Sequence, residues 1–372
     1  MTQPIWLLAA LYVTPVLLVC YYLIGRSSSS RAAVAALPEM EISEIYVYPI
    51  KSLRAIKLAS AIATPHGFAH DRTFMLLEKT PTGYKNMAVA SYPQMTQFLQ
   101  EIPPPPLSTH NSNTESTLTI HYLAHGSTPN QSSLTIPLTP TPTSLSTLEI
   151  SLHGSPTTAY RMPESYNTWF STCFNFPVEL VYLGSNRRSP RFSNLSSSPS
   201  SSPSTPQITQ SLTFTDCAPY LITSSASLSS VSSRIASQMD ITKFRPNILL
   251  SGAKEAWDED FWSTIRVSGK EAETEVALLH NCVRCKSINV DYATGRPGTG
   301  VKGEVLKRLQ GDRRVDLGAR WSPVFGRYGF WVGGGGGGGE KEKEEVVWRV
   351  GDKVRVTGVN RERTVWSWPN LG

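Results

Sequence analysis

From residue 5 to residue 24 the chain carries no charged side chain: Ile5 opens an apolar run that closes at Ile24, just before Gly25 and Arg26. At about 1.5 Å of rise per helical residue, such a run reaches roughly 30 Å, the thickness of a bilayer's hydrocarbon layer. It reads as one transmembrane helix, with Pro15 tolerated inside it. No basic residue precedes the run, whereas Arg26 and Arg31 follow it, so the positive-inside bias places the C-terminal side in the cytosol. A cleaved signal peptide is the rival reading and fits less well, because the basic n-region is missing and the run is long. Residues 1–31 are thus taken as anchor and tether, the tether being rich in Ser from Ser27 to Ser30.

Beyond the anchor the chain is built differently. Short β-type runs such as Ile45 to Tyr48 and Thr73 to Leu77 are broken by turn residues. Helical periodicity is confined to Tyr166–Cys173, Ser225–Gln238 and Trp257–Ile265. Many short strands need closure or a second sheet, so the expected fold is mainly β (α+β) and barrel-like. Pro103 to Pro106 and the Thr/Pro stretch around Thr139 to Thr143 read as loops. Ser193 to Thr209 is almost pure Ser and Pro, too polar to bury a core, and reads as a disordered insertion. Gly333 to Gly339 runs into the charged Glu340 to Glu345 and should be a flexible loop between late strands, since Val346 to Trp348 and Val354 to Val356 follow.

The formal net charge of +6 is spread over scattered Lys and Arg, with no basic helix or finger spacing. It implies modest attraction to anionic membranes or an acidic partner, and no nucleic-acid binding. Five cysteines (Cys20, Cys173, Cys217, Cys282, Cys285) form no disulfide framework and favour a reducing compartment.

Three features carry chemistry. His280-Asn-Cys-Val-Arg-Cys285 could be half a zinc site, a redox dithiol, or a place where a thiolate beside positive charge ligates a soft metal. Zinc would need further ligands, and no second Cys-x-x-Cys exists. A thioredoxin-type pair would open a helix, whereas strand-like residues follow here. Packing alone is the bland reading, against which Arg284 between the thiols argues. In Phe244-Arg-Pro-Asn-Ile-Leu-Leu250, a strand that begins at a proline presents Arg245 and Asn247, one suited to phosphate or carboxylate and the other to a heterocycle edge. Tyr48-Pro-Ile-Lys-Ser52 and His70-Asp-Arg-Thr-Phe74 add Lys51, Ser52 and Arg72, a donor set suited to phosphate. Two anion-binding patches and a thiolate fit a phosphorylated cofactor that carries a soft metal.

Taken in chain order, Tyr48–Ser52, His70–Phe74, Phe244–Leu250 and the cysteine pair followed by Val290-Asp-Tyr-Ala-Thr-Gly295, these four motifs resemble the MOSC proteins that carry an N-terminal β-barrel domain. With the anchor, the chain is similar to a fungal-type member of the mitochondrial amidoxime-reducing component family. The resemblance runs from about Glu41 to Val356 apart from the low-complexity insertions. It implies an N-terminal β-barrel domain at 41–184 and a MOSC β-barrel domain at 211–358; the Ser/Pro insertion, bounded at 185–210, and the Gly-rich loop at 333–345 are additions unlike the animal members. By resemblance Cys285 is the molybdenum ligand, and Cys282 has no ligand role. Lys51, Ser52 and Arg72 match positions that hold the phosphate of the molybdenum cofactor (molybdopterin), Arg245 and Asn247 match pterin contacts, and Asp216 matches an acid beside the metal. Where the family pattern has small hydroxyl residues after that acid, this chain has Cys217 and Ala218.

The resemblance implies a membrane-anchored oxidoreductase that reduces small N-hydroxylated substrates, with Asp216 as a candidate proton relay or, more blandly, a turn residue. Electrons would come from cytochrome b5 and its NADH-dependent reductase, since no dinucleotide-binding fingerprint is present. The mitochondrial outer membrane is the expected location, with the endoplasmic reticulum as the other candidate. The rival class is a noncatalytic molybdenum-cofactor or sulfur carrier, of which a pyridoxal-phosphate-free MOSC chain would be an example; a zinc-stabilised interaction module is a third.

Overall fold

The computed structural model describes residues 38–102, 116–123, 132–193, 195, 207–208, 211–333 and 345–371. The expected anchor, the prolines at 103–106, most of the Ser/Pro stretch and residues 334–344 lie outside the described residues. Among the described residues no helix is long and apolar enough to cross a membrane.

The described chain is mainly β, in barrel-like units. Val324–Gly333 pairs with Tyr220–Ser224 on one side and with Glu273–Val283 on the other. Between these two, Ile248–Ser251, Met40–Val47, Lys353–Val359 and Trp262–Ser268 complete a closed ring. Closure leaves no edge to pair with another chain. One strand of the ring, Met40–Val47, comes from far upstream in sequence, so the contiguous boundary expected near 184 does not separate the sheets in space. Upstream residues also supply Ser60–Thr64 and Gly67–Phe68, which form a small sheet with Val346–Arg349. Trp348 from that sheet is fully buried among Phe68, Tyr220 and Trp331.

The pairing of Tyr220–Ser224 with Ile248–Ser251 is parallel and therefore needs a crossover, which the helix Ser225–Arg234 provides. Its Ser-rich sequence has little helical propensity, but Ser224 caps it by accepting from Ser227 N at 3.1 Å, and Val231 is buried against the barrel. The helix stops at Arg234, short of the expected Gln238. The expected helix over Trp257–Ile265 is not formed. Asp258–Phe261 makes one 3-10 turn, and Trp262–Ser268 becomes a barrel strand with Trp262, Ile265 and Val267 in the core. Pairing on both sides of that strand outweighs the local helical spacing.

The second unit has a five-stranded sheet in the order Thr147–Leu152, Ser155–Arg161, Val178–Tyr182, Phe74–Thr80, Gly83–Asn86. A three-stranded sheet (Phe98–Glu101, Thr117–Tyr122, Ser133–Pro137) and the helix Glu164–Phe174 close over the same apolar cluster, centred on Phe74, Phe98 and Phe170. Within residues 185–193, expected in the disordered insertion, Arg188 and Phe192 are instead fully buried. These two large side chains find partners that an average over a Ser-rich window conceals.

Candidate functional site

Alternation along the barrel strands sends Tyr220 and Ile222 inward and Leu221 outward, and it sets Cys282 and Tyr328 on the same outer face. The ladder between Glu273–Val283 and Val324–Gly333 slips twice, between Leu278 and His280 and again between Asn281 and Val283. Such bulges bend a strand and re-aim its side chains. Immediately beyond them Arg284 N donates to Pro323 O at 2.8 Å, and Cys285 opens a 3-10 turn. The result is an open cleft on the barrel's outer wall.

Arg72, Asp216, Arg245, Asn247 and Cys285 all line this cleft, although they lie far apart in sequence. Lys51 stands directly behind, ion-paired to Asp216 Oδ1. Ser52 does not line the cleft; it is buried in the turn after Lys51, at φ +73°. Four of the nine described non-glycine residues with positive φ, namely Ser52, Arg72, His153 and Arg245, surround the site. Left-handed backbone at such residues costs of order 1 kcal/mol each and collects where the surroundings over-determine a geometry.

Cys285 is exposed and its Sγ lies 3.3 Å from Ser287 Oγ, whereas Cys282 is buried. Burial pushes the Cys282 thiol up, against the pull of Arg284, whose Nη1 donates to Cys282 Sγ at 2.8 Å. Cys282 is thus a protonated packing thiol at neutral pH, and Cys285 is the one that reaches the cleft mouth. Arg284 also donates to Phe244 O at 2.8 Å, so the guanidinium between the two cysteines is buried but partnered.

Asp71, which sequence reasoning passed over inside the His70-to-Phe74 motif, organises the polar side. It is 1 % exposed and accepts from Tyr48 N at 2.8 Å, Arg72 Nη1 at 2.5 Å and Asn247 Nδ2 at 3.0 Å. Burial works against the Arg72 charge, and Asp71 more than offsets it, raising the guanidinium's pKa. Arg72 and Arg245 both pack on the Tyr48 ring, at 4.1 and 4.5 Å from its centroid. Asn247 is spent internally: its amide donates to Tyr46 O and Asp71, and its oxygen accepts from Leu221 N. Both amide protons are used, so Asn247 braces the wall and has no donor left for a ligand. An adjacent acid and base at 71–72 was the sequence signal for this hub.

Asp216 is flanked by Lys51 and by His153, whose Nε2 lies 3.1 Å from Oδ1. The surrounding protein disfavours the charge, but Lys51 and His153 outweigh it and hold the carboxyl well below the usual carboxylate range. Its side chain is 54 % exposed, so water screens these pairs. Burial in turn pushes the Lys51 ammonium down despite Asp216. A carboxylate held ionised is an acceptor at rest, so any proton that Asp216 delivers must first reach it from a neighbour.

The wall keeps unspent polar atoms. Arg245 Nη2, Arg284 Nε and Thr215 Oγ1 are buried without a hydrogen-bond partner, and all three residues line the cleft. Buried donors left unmade cost about 1–3 kcal/mol each, so this lining suits an anionic or hydrogen-bonding ligand that would satisfy them. With Cys285 at the mouth, the donor set fits a phosphorylated group bearing a soft metal. Among the described residues no three His, Cys, Asp or Glu side chains cluster as a protein-only metal centre would require.

Comparison with known proteins agrees with this layout. Residues 39–177 match the family model of the MOSC N-terminal beta barrel domain, and residues 209–355 match that of the MOSC domain. The chain is 35 % identical over 123 residues to the human (Homo sapiens) Mitochondrial amidoxime-reducing component 1, covering 32 % of this chain and 34 % of that protein. To the Mus musculus protein of the same name it is 26 % identical over 298 residues, covering 77 % of this chain and 76 % of that one. Molybdenum cofactor sulfurase of Oryza sativa subsp. japonica is 25 % identical over 280 residues, covering 72 % of this chain and 30 % of that protein. The match thus spans about a third of the human and rice relatives and three quarters of the mouse one.

Proposed function

The chain belongs to the proteins that join a MOSC N-terminal beta barrel domain to a MOSC domain, and from that premise we propose that it is a molybdenum-cofactor reductase of small N-hydroxylated compounds. The observation that carries this reading is the convergence of an exposed thiol, Cys285, with the unspent donors of Arg245 and Arg284 on one cleft. Two relatives bear names of amidoxime-reducing components, which supports a reductive use of that cleft.

Molybdenum cofactor, when bound, supplies the two-electron reduction that releases the N-linked oxygen as water. The chain's own residues bind and orient. Cys285 would offer the metal its thiolate. Arg72 and Lys51, with the turn at Ser52, would form the cationic end for the phosphate, and Arg245 would serve the pterin. Asn247 and Asp71 hold these groups in place, and Asp216, ionised at rest, stands beside Lys51 at the cleft. Electrons would arrive from cytochrome b5 and its NADH-dependent reductase, and residues 5–24 would anchor the chain in the mitochondrial outer membrane with the barrels in the cytosol.

A second reading, a noncatalytic carrier of the cofactor or of sulfur, is favoured by the similarity to the rice sulfurase over most of this chain. Turnover separates the two. Purified with cofactor supply, the chain is expected to hold stoichiometric molybdenum and to reduce benzamidoxime with reduced cytochrome b5. Cys285→Ser should lose both metal and activity while melting like the parent, because an exposed side chain contributes little to stability. Cys282→Ser should keep its molybdenum. Molybdenum without turnover would select the carrier reading; equal metal loss in the two variants would overturn the assignment of Cys285 as sole ligand.

A further inference from the structure

Resting on the reductase reading, we propose that His153 is a positioning residue that hands solvent protons to Asp216 at the cleft.

His153 reaches the site from the other unit. It occupies the tip of the hairpin between Thr147–Leu152 and Ser155–Arg161, where Leu152 pairs with Ser155 and the two turn residues, His153 and Gly154, have φ of +53° and +75°. Two-residue hairpins of this type call for positive φ at both positions and strongly favour Asn-Gly or Gly-Gly. A histidine there is strained. The strained conformation places its ring nitrogen 3.1 Å from the Asp216 carboxylate. Three further contacts lock it. Trp368 of the C-terminal segment donates its indole N–H to His153 O at 3.0 Å. Arg188 donates to Leu152 O at 3.1 Å and to Asp216 O at 3.2 Å, tying hairpin and acid to one guanidinium. Gly154 takes a left-handed φ of +75°, where a side chain would be strained.

The charged groups around the hairpin tip are Asp216, which touches the imidazole, Lys51, paired to Asp216, Arg188, which holds Leu152 O and Asp216 O, and Arg191 beside Gly154. Asp216 alone is anionic. The His153 side chain is 27 % exposed, so one edge of the ring meets water while the other meets the carboxylate. That is the geometry of a conduit between bulk solvent and a cleft whose reaction consumes protons.

The chemistry balances. Reduction of an N–OH group takes two electrons from the reductant and two protons, breaks the N–O bond and releases amine and water. Each proton leaves His153 as its N–H bond breaks and an O–H bond forms on Asp216. The carboxylate releases a proton to the departing oxygen and returns to its ionised state, and water recharges the imidazole. Asp216 holds each proton only in passing, because Lys51 and His153 favour its ionised form.

The test uses the full chain loaded with molybdenum cofactor. His153→Gly fits the left-handed turn and removes the ring; His153→Gln keeps a hydrogen bond but carries no proton. Both should lower kcat roughly 10- to 100-fold, the range for groups one layer from the reacting centre, with KM and molybdenum content unchanged. Added imidazole should restore part of the turnover of His153→Gly but not of His153→Gln, whose side chain fills the space. A cofactor-free arm follows the His153 ring by NMR: Asp216→Asn, which alters the group 3.1 Å from Nε2, should move the ring resonances. Parental kcat in either variant, loss of metal without imidazole rescue, or unmoved ring resonances would each overturn the proposal. An inactive parent chain would instead remove the reductase reading and proton supply with it, while the NMR arm would still decide whether His153 and Asp216 are coupled.

Discussion

Asp71→Ala removes a fully buried carboxylate on which three donors converge: Tyr48 N at 2.8 Å, Arg72 Nη1 at 2.5 Å and Asn247 Nδ2 at 3.0 Å. Breaking a buried ion pair from one side strands the partner charge and costs about 3–5 kcal/mol. An orphaned buried N–H such as that of Tyr48 costs about 1–3 kcal/mol in isolation. The two penalties overlap, because water admitted by the missing side chain serves both, so a loss of about 4 kcal/mol is expected. Against a typical total of about 5–15 kcal/mol this is a large share of the protein's stability. Equilibrium urea unfolding, monitored by tryptophan fluorescence, reads it directly. Asp71→Asn, which keeps the shape and one acceptor but not the charge, should fall between parent and alanine. Adding Arg72→Met to Asp71→Ala should recover part of the loss, since no buried charge is then left unpaired. A loss below about 1 kcal/mol for Asp71→Ala, or a double variant that is simply additive, would refute the view of Asp71 as the hub of the polar wall.

Acid should weaken the protein through His280, which burial, with help from Arg327, depresses to about 4. An unfolded imidazole titrates near about 6.5, so between these values the unfolded chain takes a proton that the folded chain refuses. Stability contributed by neutral His280 is therefore present above about 6.5 and is lost as pH falls toward about 4, by up to about 3 kcal/mol. His280→Gln should flatten that slope in urea midpoints measured across the range; an unchanged slope would sink the assignment. Trp348→Ala empties a fully buried site in the barrel core, where Trp348 stacks on Trp331 at 6.1 Å, and should cost about 3–5 kcal/mol in the same assay. A loss under about 1 kcal/mol would mean that the small sheet bearing Trp348 does not seal the barrel.

Much of this was legible in the chain itself. Period-two runs bounded by turn residues dictate a mainly β architecture, because a half-buried strand must alternate, and the strands around Ile45, Phe74, Val346 and Val354 appear where that pattern puts them. The ordered motifs also picked out Arg72, Arg245 and Cys285, whose charge or soft sulfur declares their chemistry wherever they fold together, while Asp216 was implied only by the family resemblance. Local pattern, however, carries no information on which strand pairs with which. That Met40–Val47 joins a ring otherwise built from residues beyond 219 is decided by long-range registry, as is the conversion of the helical-looking stretch at 262–268 into a strand. Partner choice is tertiary for the same reason. Asn247 looks like a ligand-reading side chain in sequence but spends its hydrogen bonds on Tyr46, Asp71 and Leu221, and two cysteines of one motif diverge because bulged strand geometry buries Cys282 and exposes Cys285. His153 carries no motif at all. It becomes part of the site only because packing brings a hairpin tip of one unit within hydrogen-bond reach of a loop on the other, a contact between residues 63 positions apart that no local rule can encode.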